Sequence, residues 1–345
     1  MRKGALAVCA IGGVGVAYAL AEAQSYVLRR VTVPVLPPDA EPLRVLHLSD
    51  LHLACTPAGA RLAAWVRELA AERPDFVALT GDNFSRANGL PVILDALAPL
   101  TGLPGAFVFG SNDYLSARPK NPAHYLLTRL RPHPGPERNM RDGHVRPGSG
   151  AGGERQRAVA DGLARYANWH GDEREFDLPW TALRDALVRA GWFDLNNARA
   201  NLQLGTIQVR LVGLDDPHID RDNLPPPPGP EAGGLVIGLV HAPYRRALCA
   251  LSDDGADLIL AGHTHGGQLA LPIHGALVVN CDVGTSRSRG LHGWPGPRPD
   301  QPGGAESVWL HISAGLGTSP YVPLRFAARP EATLLTLTPR PKPEA

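Results

Sequence analysis

The chain has 345 residues, 44% of them hydrophobic, with Lys+Arg 34 against Asp+Glu 33. That length and apolar content exclude a disordered chain and leave room for one large domain or two ordinary ones. The net charge of +1 lacks the basic excess expected of a non-specific nucleic-acid binder. Cys9, Cys55, Cys249 and Cys281, with no C-x-x-C pair, indicate neither a disulfide framework nor a zinc knuckle.

The N-terminus carries Arg2 and Lys3, then runs uncharged from residue 4 to residue 20, with Arg29 and Arg30 beyond. Such a run is about the minimum length for a bilayer-spanning helix. Residues 1–30 are therefore expected to form a single N-terminal membrane-anchor helix, with the body of the protein outside the cytoplasm. Two alternatives stay open. One is a secreted form cleaved near Ala23, because Ala21-Glu22-Ala23 has the small-x-small form. The other is a buried N-terminal helix. Residues 31–42 are Pro-rich and read as a spacer.

From residue 43 to residue 345 the pattern alternates. Short apolar runs at 45–48, 76–79 and 106–109 read as buried strands, and helical periodicity spans 60–71 and 92–100. Further strands are expected at 209–214, 235–240 and 258–260 and near Leu277, Trp309 and Leu334, with helices at 181–190 and 244–251. Strand–helix alternation indicates an α/β fold. The closing strands, with few helices between them, suggest a second, more antiparallel sheet. Residues 132–171, rich in Arg, Gly, Pro and His, read as a flexible surface insertion.

Polar residues follow these strands in a pattern that suggests chemistry. The first runs into Ser49-Asp50-Leu51-His52, the second into Gly81-Asp82-Asn83, and the third into Gly110-Ser111-Asn112-Asp113. Later strands end at His241 and at Gly262-His263-Thr264-His265-Gly266-Gly267. Loops at strand ends converge on sites in α/β sheets, and mixed Asp, His and Asn ligands suit Mn, Fe or Zn. Each piece alone is commonly a turn or a capping residue. The ordered series is what sets the chain apart.

The series resembles the calcineurin-like metallophosphoesterase signature, D-x-H, G-D-x, G-N-H-D, a lone His and G-H-x-H, over residues 44–338. The Gly-His-Thr-His-Gly-Gly-Gln ending and the N-terminus are similar to a membrane-associated bacterial branch. That branch includes hydrolases of the UDP-diacylglucosamine pyrophosphate. The resemblance implies a four-layer α/β/β/α sandwich and two divalent metal ions. One metal would be held by Asp50, His52, Asp82 and His265. The other would be held by Asp82, His241, His263 and an amide from the third motif, with Asp82 bridging. A shared hydroxide would attack phosphorus in line.

The third motif departs from the family pattern. Aligned without a gap, Ser111 replaces the ligand Asn and Asn112 replaces the His. Either Asn112 supplies the amide through a small backbone shift, or Ser111 or water fills the position while Asn112 contacts the phosphoryl group. Asp82, Asn112 and Asp113 are the residues the resemblance assigns to catalysis. Without the imidazole, substrates with good leaving groups are favoured, or His218 serves as another acid. The expected activity is hydrolysis of a phosphodiester or pyrophosphate, lipid- or nucleotide-linked, at a membrane surface. A phosphomonoesterase and a metal-binding module without catalysis are the alternatives.

Overall fold

A computed structural model describes residues 13–117, 176–227, 234–271, 275–318 and 321–341. The segment expected as an insertion, 132–171, lies outside the described residues.

The described residues build two six-stranded mixed sheets. The first uses β1 (Val27–Leu36), β2 (Leu43–Leu48), β3 (Phe76–Leu79), β4 (Gly105–Phe107), β5 (Phe193–Asp194) and β14 (Glu331–Pro339), in the order β1-β14-β2-β3-β4-β5. The second uses β6 (Ala198–Leu204), β7 (Ile207–Leu214), β8 (Leu235–Val240), β9 (Leu258–Ala261), β12 (Gly290–Trp294) and β13 (Val308–Ile312), in the order β12-β13-β9-β8-β7-β6. A short hairpin pairs β10 (Ala270–Leu271) with β11 (Gly275–Ala276).

The central strands β3, β8 and β9 are parallel, buried along their whole length and apolar throughout, as strands covered on both faces must be. One hydrophobic cluster draws on both sheets, joining Val45, Phe76 and Ala106 of the first to Leu211, Ile237 and Leu260 of the second. A second cluster sets α1 (Pro57–Glu68), α2 (Leu90–Leu97) and α4 (Trp180–Arg189) against the first sheet. Between α2 and α4 in the chain lies the one-turn α3 (Ser111–Tyr114). A third cluster packs α5 (Arg245–Asp253) on the second sheet through Ala247, Leu248 and Leu251. Local chemistry supports α1: the Thr56 hydroxyl accepts from Gly59 N–H at 3.0 Å, Pro57 starts the helix, and Leu62, Ala63 and Val66 form its buried stripe.

Three expectations are corrected. Among the described residues no helix is long and apolar enough to cross a membrane, which overturns the single N-terminal anchor. Residues 13–22 are helical, but Ala19 and Glu22 are buried, and the Glu22 carboxylate accepts from the N–H groups of Ala327 and Ala328 at 3.1 and 2.9 Å. Second, residues 27–30 of the expected anchor and 31–36 of the expected spacer form β1, paired parallel with β14. Pro34 is tolerated there because β1 is the sheet edge, where a missing N–H breaks no central ladder. Third, the closing strands do not form a sheet of their own. β12 and β13 extend the second sheet, while β14 returns to the first, between β1 and β2.

Candidate metal centre

The polar motifs converge because parallel strands all deliver their C-terminal ends to one side. Asp50 and His52 follow β2, Asp82 follows β3, His241 follows β8, and His263 and His265 follow β9. The loop after β4 turns directly into α3, which carries Asn112 and Asp113. Asp50, His52, Asp82, His263 and His265 all have left-handed backbones, with φ between 41° and 70°. For residues other than glycine this costs on the order of 1–3 kcal/mol each and persists where the surroundings over-determine it, typically at functional sites.

Two imidazole pairs face one buried carboxylate. His52 Nε2 lies 3.2 Å from His265 Nε2, and the two rings stack. His241 Nε2 lies 3.3 Å from His263 Nδ1. Asp82 sits between the pairs, with Oδ2 at 3.6 Å from His52 Nε2 and Oδ1 at 3.3 Å from His241 Nε2. Asp50 Oδ1 is 3.5 Å from His265 Nε2. Burial opposes ionisation of Asp82, but His241, His52 and Asn112 outweigh it and hold its carboxyl well below the usual range.

The outer nitrogens of three rings fix where the lone pairs point. His241 Nδ1 meets Thr80 O at 2.6 Å, His263 Nε2 meets Asn280 O at 2.9 Å, and His52 Nδ1 meets Phe84 O at 3.3 Å. A carbonyl only accepts, so each of these nitrogens carries a proton, and the inner nitrogen is the one turned toward the cluster. The His241–His263 pair brings two inner nitrogens within 3.3 Å of each other beside the Asp82 carboxylate, whose charge, against the opposing effect of burial, holds His241 well above the usual histidine range. A divalent cation satisfies that arrangement, and the donor set of imidazoles and carboxylates is what such ions bind. Two groups have ligand atoms close enough to share an ion: Asp50, His52 and His265, and Asp50, Asp82 and His241. Asp50 thus joins both groups, closer to the centre than the sequence resemblance placed it.

The third motif is partly clarified. Asn112 donates its backbone N–H to Asp82 Oδ1 at 2.8 Å and its side-chain amide to Oδ2 at 2.7 Å. Of the third-motif side chains, it is Asn112 that reaches the Asp82 carboxylate, and an amide turned over there would offer its oxygen. Asp113, expected to be catalytic, has its carboxylate engaged with neighbouring loop N–H groups. Its carboxylate accepts from the backbone N–H of Asp82, Asn83 and Gly110 and from Asn83 Nδ2, at 2.8 to 3.1 Å. It ties the loops after β3 and β4 together. Burial, and then the Asp82 charge, push it up to about 7. Gly110 is equally constrained, since a Cβ there would collide with Asp82 Oδ1 and the His241 ring.

Around this centre, the His218 ring packs on His263 with centroids 4.7 Å apart, and its Nδ1 is 2.9 Å from the Tyr244 hydroxyl. Asp215 accepts from Tyr114 OH, Arg221 Nε and Asp216 N–H, which makes it a structural anchor of its turn. Arg287 donates to the carbonyls of Pro295 and Gly296 and lies over Trp294. His47 is buried between Thr80 and His311, at 2.9 Å from each. Arg325 escaped the sequence reading. Fully buried, it donates to the carbonyls of Ala314, Gly315, Gly317 and Ala328 and reaches His265 Nδ1. No periodicity or motif around it marks that role.

Paired imidazoles sharing a carboxylate at the strand ends of a mixed α/β fold define a metal-dependent hydrolase site. The family described as calcineurin-like phosphoesterase matches residues 43–267, and the chain belongs to that family. It is similar to the uncharacterized metallophosphoesterase YkoQ of Bacillus subtilis, with 25% identity covering 86% of this chain and 84% of that protein. It is 31% identical to the uncharacterized metallophosphoesterase YkuE of Bacillus subtilis over 46% of this chain and 51% of that protein. The phosphodiesterase YaeI of Escherichia coli is 31% identical over 44% of this chain and 50% of its own length. The chain is a hydrolase acting on phosphoric esters, in a family that binds divalent metals.

Proposed function

We propose that this chain hydrolyses a phosphodiester or pyrophosphate bond, with two divalent cations held by Asp50, His52, Asp82, His241, His263 and His265 and the Asn112 amide beside them. The observation that carries this is Asp82, whose two oxygens each face a different imidazole pair. Bound cations there supply Lewis acidity and lower the pKa of water. The similarity to a phosphodiesterase supports diester cleavage. The three hydrophobic clusters support the four-layer α/β/β/α arrangement that the resemblance implies.

The chain's own residues do the rest. Carbonyl contacts orient three ligand rings, so little reorganisation is needed on binding a charged phosphate. Asn112 hydrogen-bonds an anionic oxygen but cannot protonate a leaving alkoxide as imidazolium can. Good leaving groups, such as a phosphate in a lipid- or nucleotide-linked pyrophosphate or an aryl oxide, are therefore preferred. The alternative acid in this reading is His218, whose ring packs on His263.

The test compares bis(p-nitrophenyl) phosphate with p-nitrophenyl phosphate, using protein stripped of metal and reloaded with Mn, Zn or Fe, alongside Asp82→Asn. Metal-dependent diester cleavage that Asp82→Asn abolishes is the expected result. Preference for the monoester would favour a phosphomonoesterase, and folded, metal-loaded protein inert on both would favour a binding module.

A further inference from the structure

Against β12 lies a cleft of about 420 Å³, bordered by the turn Thr285–Arg287 and the loop of residues 295–301. Small-molecule sites typically enclose roughly 300–1,000 Å³. The polar side chains lining it are Ser286, Arg287, His292, Arg298 and Gln301, and none is a carboxylate.

The backbone builds this cleft. A Cβ on Gly293 would collide with Pro297 O and the backbone nitrogen of Arg298, and one on Gly304 would collide with Arg298 O. These two glycines let the loop lie directly on β12, which brings Arg298 to the strand that carries His292. The loop is fastened by Gly296 N–H, which donates to Ser307 Oγ at 3.1 Å, and by Gln301 N–H, which donates to Arg298 O at 2.9 Å.

Several donors there are held in place yet unused. Arg287 spends Nη2 on the carbonyls of Pro295 and Gly296, at 2.9 and 3.3 Å, and rests over Trp294. Its Nε and Nη1 have no protein partner among the described residues. Arg298 gives Nε and Nη2 to Asp300 and keeps Nη1. Gln301 Oε1 accepts from Arg298 N–H at 3.4 Å, which leaves the amide NH₂ to donate. His292 Nε2 donates to Arg289 O at 2.8 Å. Burial lowers the pKa of His292, that bond opposes it, and Arg287 and Arg298 lower it further, so both cations act on one ring.

The charge of Arg287 is not answered by an acid. Arg245 lies over the same Trp294 ring. Burial, then Arg245, holds Arg287 below the usual arginine range, and no carboxylate offsets them. The carboxylates of this region are engaged elsewhere or stand outside the cleft. Asp300 pairs with Arg298, Asp282 accepts from Arg245 N–H at 2.8 Å, and the exposed Glu306 is not part of the lining. Fixed guanidinium N–H groups without an acid partner suit an oxyanion. A phosphate group presents three strong acceptor oxygens to such donors.

We infer that this cleft is an anion site separate from the metal cluster, taking a phosphate-class oxyanion on Arg287 and Arg298 with Ser286 and Gln301 beside them. It adjoins the cluster. Ser288 follows Arg287, and its carbonyl accepts from Thr264 Oγ1 at 2.5 Å, while Thr264 separates His263 from His265. The anion is therefore a second phosphoryl group of the substrate or free phosphate, and the two are separated by experiment.

The test is equilibrium dialysis of inorganic phosphate against the full, metal-loaded chain. Two classes of bound phosphate are expected, with the cleft half-filled below about 1 mM. Asp82→Asn should remove the class at the metal cluster and leave the other. Arg287→Gln and, separately, Arg298→Gln should do the reverse, weakening the cleft by about tenfold or more. The two arginines come from different segments, so misfolding of one variant leaves the other informative. Neither belongs to the metal cluster, so hydrolysis of bis(p-nitrophenyl) phosphate stays at the wild-type rate. A thymidine p-nitrophenyl phosphodiester, with and without a second phosphate on the sugar, separates the two sources. This arm rests on the phosphoesterase reading above, and the binding arm does not. Cleavage of the phosphorylated form at least about tenfold more efficiently, with the advantage lost in Arg287→Gln, assigns the cleft to the substrate. Equal cleavage beside intact phosphate binding assigns it to free phosphate. Saturation at the metal cluster alone, or cleft binding undiminished in both arginine variants, would overturn the inference.

Discussion

Arg325 Nη2 lies 3.2 Å from His265 Nδ1, and the same guanidinium is held by a ring of backbone carbonyls. A guanidinium only donates. A neutral His265 ring that accepts at Nδ1 carries its own proton on Nε2, facing Asp50 and His52, and that proton would have to leave for Nε2 to hold an ion; the Arg325 charge opposes a second proton on the ring. Burial first, then His52 and Arg325, hold His265 well below the usual histidine range.

Removing that support should be felt at the metal before it is felt by substrate. Arg325→Met is expected to weaken metal binding by about 10–100-fold, as loss of a ligand-orienting partner typically does. The carbonyls left without a donor should cost at least about 2 kcal/mol of stability. Arg325→Lys keeps the charge but loses the fork, so it should recover stability better than metal affinity. Chelator competition and thermal melts measure the two separately; unchanged metal affinity in Arg325→Met would refute the positioning role.

Gly110→Ala should inactivate by steric means alone. Gly110 has φ −112°, which alanine adopts freely, yet its added Cβ meets Asp82 and His241. A displacement of this kind near a reacting centre costs on the order of 100-fold in turnover. Circular dichroism should remain as in wild type, and full activity would show that the two loops can separate.

Asp113→Asn distinguishes a loop clamp from a proton donor. An amide replaces one acceptor oxygen with a donor facing N–H groups, which should destabilise the loops by about 1–3 kcal/mol and lower metal occupancy. The pH–rate profile of the remaining activity should keep its shape. A lost acidic or basic limb would instead return Asp113 to the catalytic role expected from its motif.

Stability should fall as pH drops below about 6.5, the unfolded histidine value, because of the buried His47–His311 pair. Burial first, then His311, holds His47 well below its ordinary value; burial first, then His292, lowers His311 to about 3. Both are depressed on folding, so between those values the unfolded chain binds more protons. The stability the pair contributes is present above the unfolded pKa and is lost as pH falls through it, by up to about 1.4 kcal/mol per pH unit for each histidine. Urea titrations at neutral and mildly acidic pH measure the slope. His311→Gln should flatten it, and an unchanged slope would assign the effect elsewhere.

Turnover should depend steeply on the leaving group. With Asn112 at the third motif, aryl esters should be cleaved far faster than alkyl esters of similar size, by at least about 100-fold. A flat dependence would mean that another acid, such as His218, protonates the departing oxygen.

The sequence alone determined the α/β class, the central strands and the residues of the cluster. Each short apolar run that must be buried on both faces ends in polar residues, and the ordered series of those endings, not any one of them, marked Asp50, His52, Asp82, His241, His263 and His265 as candidates. Tertiary structure decided what depends on distant partners. Glu22 meets Ala327 and Ala328 some 305 residues later, which turns an apolar leader into a docked helix. β1 finds a place only because β14 returns to pair with it. Asp113 and Arg325 find their partners only where loops meet. Local sequence encodes propensity and burial, but a hydrogen bond between remote segments exists only once the sheets have brought them together.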